Sequence, residues 1–167
     1  EHVNERKSQN IPPKPLNADQ TSDLVKLLKN PPKGEENFLL DLISNRVPPG
    51  VDEAAYVKAS FLSAIALAKD HSPIISRELS VKLLGQMLGG YNVATLVELL
   101  DDEDIQECAA EQLKSTILVF DAFHDVADKA TDGNNLAKSV IESWANAEWF
   151  LKNKEVPKSI KTIVFKA

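Results

Sequence analysis

The chain has 167 residues, a length that suits one domain, or one domain with a short appendage, and is enough to bury a core. Hydrophobic residues make up 43% and charged residues 26%, ordinary globular usage that excludes wholesale disorder. A net charge of -6 disfavours general phosphate binding, and the single cysteine, Cys108, excludes an intramolecular disulfide, a zinc ribbon and an iron–sulfur cluster held by this chain's thiolates alone.

Glycine is scarce and the prolines fall between apolar runs, which reads as helices with hard stops. The opening to Ser8 reads as the tail of a helix. The IPPKP run (residues 11–15) is then a rigid extended linker, because proline fixes φ and disfavours helix just before it. Asn17 is a predicted N-cap with Gln20 in capping-box spacing. Leu24, Leu27 and Leu28 mark one face of the helix that follows, up to the stop at Asn30-Pro31-Pro32. A second helix is predicted over 35–45, with Phe38, Leu39, Leu42 and Ile43 on its apolar face and Glu35 and Glu36 in its first turn, where the helix dipole favours anions. The Val47-Pro48-Pro49-Gly50 run ends it.

Asp52 is predicted to cap a longer helix reaching about Lys69. Its apolar residues (Ala54, Val57, Phe61, Ile65 and Ala68, with Leu62, Ala66 and Leu67) cover most of its circumference, as in a helix covered on several sides. Ser76 starts the next, with Leu79, Leu83, Leu84, Met87 and Leu88 inward and Gly89-Gly90 as its C-terminal stop. A short helix is expected over 93–100. Asp101-Asp102 is predicted to cap another, containing Ile105, Cys108, Ala109 and Leu113. The helical pattern continues through Ile117, Leu118, Phe120, Phe123 and Val126, and leaves open whether a break falls near Lys114-Ser115. Asp132-Gly133-Asn134 is a turn. A last helix over 135–151 sets Leu136, Val140, Trp144, Ala147 and Leu151 on one stripe. Beyond Val156-Pro157, the β-branched and aromatic run 161–165 reads as a strand with no partner, so the sequence is expected to stop just inside a following domain.

The long helices start near Asn17, Asp52 and Val93, about forty residues apart, the length of a HEAT-type unit. The expected fold is therefore all-α: stacked antiparallel helix pairs over 1–157, then a strand-like tail over 158–167. No run approaches the roughly 18 apolar residues of a membrane span. The polar start has no signal-peptide core, so a soluble, reducing, cytoplasmic setting is expected.

Residues that could carry chemistry are few. His124 can share a helix face with Asp121, and Asp125 adjoins it; two donors are few for a metal, and Phe120 and Phe123 suggest ordinary packing. The acidic stretch from Glu98 to Glu111 could take a cation or a basic partner, or be a solvated helix start at which Asp101 to Asp104 suit the dipole. Cys108 has apolar neighbours at helical spacing and no nearby basic residue, so a buried inert thiol is expected. There is no nucleophile elbow, P-loop or dinucleotide fingerprint. Trp144 lies on the inner stripe. Trp149 lies about 140° round the helix from it, which suggests an outward tryptophan at an interface, with core packing as the alternative.

Several stretches resemble the amino-terminal domain of the bacterial aconitase B family. They are PKPLNADQTSDLVKLLKNPPKGEENFLLDLISNRVPPGVDEAAYVKASFL (13–62), LLGQMLGGYN (83–92), FDAFHDV (120–126) and SWANAEWFL (143–151), in order and at the expected spacing. The tail KTIVFKA (161–167) resembles the entry to that family's swivelling α/β domain. The resemblance implies a parent aconitate hydratase, a lyase that interconverts citrate and isocitrate through cis-aconitate at a [4Fe–4S] cluster. That parent serves the citric acid cycle and, in some bacteria, the methylcitrate pathway with 2-methylaconitate hydration. It further implies that this domain is HEAT-like, makes protein contacts including iron-sensitive homodimerisation, and shapes the approach to the active site. The implied partners are the catalytic domains of the same chain, a second copy, other citric acid cycle enzymes and, for the apo form, mRNA.

The family's three cluster-ligating cysteines and its catalytic serine and arginines have no match in this chain. No catalytic, cofactor-binding or metal residue is therefore carried over, and the chain alone is expected to be inactive. MLGGYN, with Gly89, Gly90, Tyr91 and Asn92, is the expected interdomain contact, together with Trp149 and Phe150. The competing class is RNA recognition by the domain itself, against which stand the acidic balance and the small basic group of Lys26, Lys29 and Lys33.

Overall fold

The computed structural model describes residues 2–148. Among them the chain is helical, with no strand: α1 His2–Ser8, α2 Ala18–Lys29, α3 Glu36–Asn45, α4 Glu53–Ala66, α5 Arg77–Gly85, α6 Val93–Glu98, a 3-10 turn at Leu99–Asp101, α7 Gln106–Ser115, α8 Val119–Thr131 and α9 Asn135–Ala145. The predicted strand over 161–165, Leu151, Trp149 and Phe150 lie outside the described residues.

The starts are set by local chemistry. Asn17 accepts from the Gln20 backbone N–H while the Gln20 side chain accepts from the Asn17 N–H, closing the capping box. Asp52, Ser76 and Asn134 each accept a backbone N–H three residues on, a cap contributing about 1 kcal/mol. Arg46 ties the extended linker to the end of α3: its guanidinium donates to the Lys14 carbonyl, and its own carbonyl accepts from the Leu16 N–H.

Several predicted ends shift. α4 stops at Ala66, three residues before Lys69, because Ala68 turns left-handed (φ 55°) and the Lys69 and Asp70 N–H groups return to the Ala64 carbonyl. Arg77 donates to the Ala66 carbonyl at 2.9 Å and closes the same end. α5 ends at Gly85 rather than at Gly89-Gly90, and α7 begins at Gln106 with no side-chain cap from Asp101 or Asp102. Those carboxylates form ion pairs instead. The break between α7 and α8 falls over 116–118, where Thr116 is extended and its hydroxyl accepts the Leu118 N–H. α9 ends at Ala145, short of the predicted Leu151.

α2 packs on α3 and α4, α4 on α5, α5 on α7, α7 on α9, and α9 on α8, with α6 against α7 and α8. One continuous core results, with Leu28, Ile43, Leu62, Leu84, Leu96, Leu100, Leu113 and Val126 fully buried. α4 is covered on several faces, as its all-round apolar character implied. Trp144 is buried, and its indole N–H donates to the Leu113 carbonyl at 2.8 Å, locking α9 to α7. Among the described residues no helix is long and apolar enough to cross a membrane.

Face assignment is where the periodicity erred. Leu27 and Phe38 are exposed, while Leu24, Leu28, Leu39 and Ile43 on the same helices are buried; past the end of α5, Leu88 is exposed and Met87 buried. Helical spacing marks which residues share a stripe, not which of them a neighbouring element covers. Lys58 is the opposite case, a charged residue packed inside. It is 2% exposed on α4, and among the described residues it has no hydrogen-bonding or ionic partner; burial lowers its pKa to about 8.

Candidate interaction surfaces

Two loops about forty residues apart in sequence meet in space. The Leu88 N–H donates to the Pro49 carbonyl at 2.8 Å, and the Tyr91 hydroxyl donates to the Val51 carbonyl at 2.9 Å. Gly89 explains the closeness: a Cβ there would stand 2.0 Å from the Gly50 carbonyl oxygen, so only glycine lets the two backbones touch. Gly90 next to it has φ of 90°, a second requirement for glycine. Asn92 is fully buried and donates to the Leu84 and Met87 carbonyls, closing the loop from α5 to α6. The predicted helix stop is therefore a backbone contact between two loops.

The junction has an outward side. Tyr56 from α4 meets Tyr91 edge to face, with ring centroids 5.4 Å apart. Val51 (73%), Tyr56 (58%), Leu88 and Tyr91 all remain exposed, forming an apolar surface built on a rigid turn. Gly89 and Asn92 thus serve the domain's own packing, while Tyr91 is left to face outward. Sequence reasoning missed Val51 and Tyr56, since nothing local to them announces the partner loop.

A second apolar surface lies on α8 and α9. Val119, Phe120, Phe123, His124, Ile141 and Trp144 line a groove of about 310 Å³ between α8 and α9. A second hollow of about 460 Å³ shares Val119, Phe120 and Trp144 and extends to Ile117 and Ala147. Phe120 is 90% exposed and Ile117 72%, with Phe123 also outward. This corrects the expectation of ordinary packing for Phe120 and Phe123. His124 stacks edge to face on Phe123 at 5.6 Å. Among the described residues no three His, Cys, Asp or Glu side chains gather as metal ligands.

The acidic stretch divides. Asp101 pairs with Lys129 and accepts from Asn134, fixing the end of α8 to the 3-10 turn. Asp102 pairs with Arg77, and Asp104 stands 3.7 Å from the same guanidinium. Lys129 holds the Asp101 carboxyl, and Arg77 the Asp102 carboxyl, below the usual range. The charges thus serve tertiary pairing, with cations drawn from other elements. Glu78, Lys82, Glu103, Glu107, Cys108 and Glu111 line a shallow groove of about 420 Å³. Cys108 is half-buried rather than buried. Burial first, then Glu78, pushes its thiol above the usual range, with Lys82 opposing, so it stays protonated near neutrality.

A family model described as the Aconitate B N-terminal domain matches residues 1–150. Aconitate hydratase B of Pseudomonas aeruginosa is 63% identical over 165 residues, that of Escherichia coli 54% over 165, and that of Helicobacter pylori 46% over 166. These alignments cover 98–99% of this chain and 19% of each relative, so the chain spans about a fifth of their length.

Proposed function

This chain belongs to the Aconitate B N-terminal domain family, and we propose on that premise that it is the non-catalytic interaction domain of an aconitate hydratase. Its parent would interconvert citrate and isocitrate through cis-aconitate in the citric acid cycle. The domain is read as a HEAT-like array, a reading supported by the succession of packed helices α2, α4, α5, α7 and α9. Its work is contact: with the catalytic domains of the same polypeptide, so narrowing the approach to their active site, and with a second copy. A cytoplasmic setting suits that role.

A [4Fe–4S] cluster supplies the hydratase chemistry in such a parent, and this chain's donors do not fit one. It has a single thiol, Cys108, which burial and Glu78 keep protonated, whereas a cubane needs several thiolates. The reacting groups are therefore assigned to the remainder of the parent.

The observation that carries the reading is the outward apolar surface of Val51, Tyr56, Leu88 and Tyr91. The two stretches that build it, NRVPPGVDEAAYVKA and MLGGYN, are among those that resemble the family. Gly89, Gly90 and Asn92 shape that surface from beneath and Tyr91 presents it. Size-exclusion of this chain mixed with the separately produced remainder of the parent tests the reading. Co-elution is expected, and it is lost with Val51→Asp combined with Tyr56→Asp, both exposed enough to leave the fold intact. Independent elution of the unmodified pieces would overturn it.

A further inference from the structure

We propose that the groove between α8 and α9 is the seat of the apolar run immediately downstream, Trp149-Phe150-Leu151, so that the chain is pinned to the domain where it leaves it.

The groove calls for a cover. Ile117, Phe120 and Phe123 are exposed side by side across two adjoining hollows that share Val119, Phe120 and Trp144. A monomer rarely leaves so contiguous an apolar face to water. The inner hollow is lined by hydrocarbon and aromatic side chains with His124 as its one polar ring, and the outer one adds Lys114, Ser115 and Thr116 along one rim.

The position of the chain end selects the occupant. Ala145 and Ala147, the last turns of the described chain, themselves line the two hollows. Trp149 is two residues past Ala147, within about 7 Å of chain, and Leu151 four residues past, within about 14 Å. All of 149–151 can therefore reach Phe120 and Ile117 without extending the loop. The run is bounded by Glu148 on one side and Lys152 on the other, so its apolar length matches a short groove. Tethering also decides the competition. A segment joined through one or two residues is present at an effective concentration of millimolar or more, which a second copy or a separate protein does not reach. The apolar residues at 160–165 would have to close a loop several times longer. The consequence is directional: a pinned exit limits where the rest of a longer polypeptide can swing.

The 167-residue chain with 5-fluorotryptophan at both tryptophans provides the test, the two 19F resonances being assigned with Trp149→Phe. Iodide quenching of the unmodified chain, less the contribution that Trp144 makes in the Trp149→Phe variant, gives a second readout of Trp149. In the unmodified chain Trp149 is expected to be shielded, with at least threefold less quenching than a free tryptophan peptide. Phe120→Asp is expected to shift the Trp149 resonance, remove the shielding and leave the circular dichroism unchanged. Phe120→Ala, a milder change, should move both signals in the same direction. The result must be the same from 5 to 200 μM. A Trp149 quenched like the free peptide, or indifferent to both Phe120 variants, overturns the proposal. So does shielding that appears only at high concentration, which would make a second copy the occupant.

Discussion

Replacing Lys58 with methionine should stabilise the domain, by an amount that depends on pH. The Lys58 side chain packs among α4's neighbours, the residue being 2% exposed, with no partner for its amine among the described residues, and burial lowers its pKa from 10.5 to about 8. That change corresponds to about 3 kcal/mol, at about 1.4 kcal/mol per factor of ten. Below pH 8 the amine is protonated in both folded and unfolded chains, and the folded chain bears the whole cost of burying a charge. Between pH 8 and 10.5 the unfolded chain holds a proton that the folded chain has shed, so stability rises with pH across this window. Lys58→Met keeps the stem volume and removes the charge. Urea denaturation should therefore show the variant more stable by about 3 kcal/mol at pH 7, shrinking to about 1 kcal/mol at pH 9.5. A variant no more stable at pH 7, or an advantage that does not change with pH, would show that the amine is solvated or paired and would refute the reasoning.

Four further substitutions probe the frame. Gly89→Ala should cost roughly 2–4 kcal/mol, since its Cβ would meet the Gly50 carbonyl. Gly90→Ala, which meets nothing within 4 Å but is left-handed, should cost only about 1–2 kcal/mol; thermal denaturation of the pair checks the order. Ala68→Gly should raise stability by about 0.5–1 kcal/mol by relieving the left-handed alanine that ends α4, read by the urea midpoint. Trp144→Phe removes the donor to the Leu113 carbonyl and should cost about 1–2 kcal/mol, with hydrogen exchange accelerated across α7 and α9.

Local chemistry was legible in the sequence. Asn17 with Gln20, Asp52, Ser76 and the Gly133-Asn134 turn act within three or four residues of themselves, and each caps or turns where its residue type indicates. What depends on a distant neighbour was not legible. Phe120 and Leu88 read as inward because helical period gives a stripe's direction and not what stands opposite it. Nothing local to Lys58 announces its burial, which the helices packed on α4 impose. Asp101 and Asp102 look like a helix cap until Lys129 and Arg77 arrive from other elements. At the candidate site, MLGGYN was conspicuous as a motif, yet the Gly89–Gly50 contact that explains it needs both loops in place.

The most direct test of the account is a spectrophotometric assay of cis-aconitate formation from citrate and isocitrate. It compares the purified 167-residue chain with its full-length parent after both are treated with iron and sulfide. The account predicts activity in the parent and none in this chain; turnover of either substrate by the 167 residues alone would contradict it.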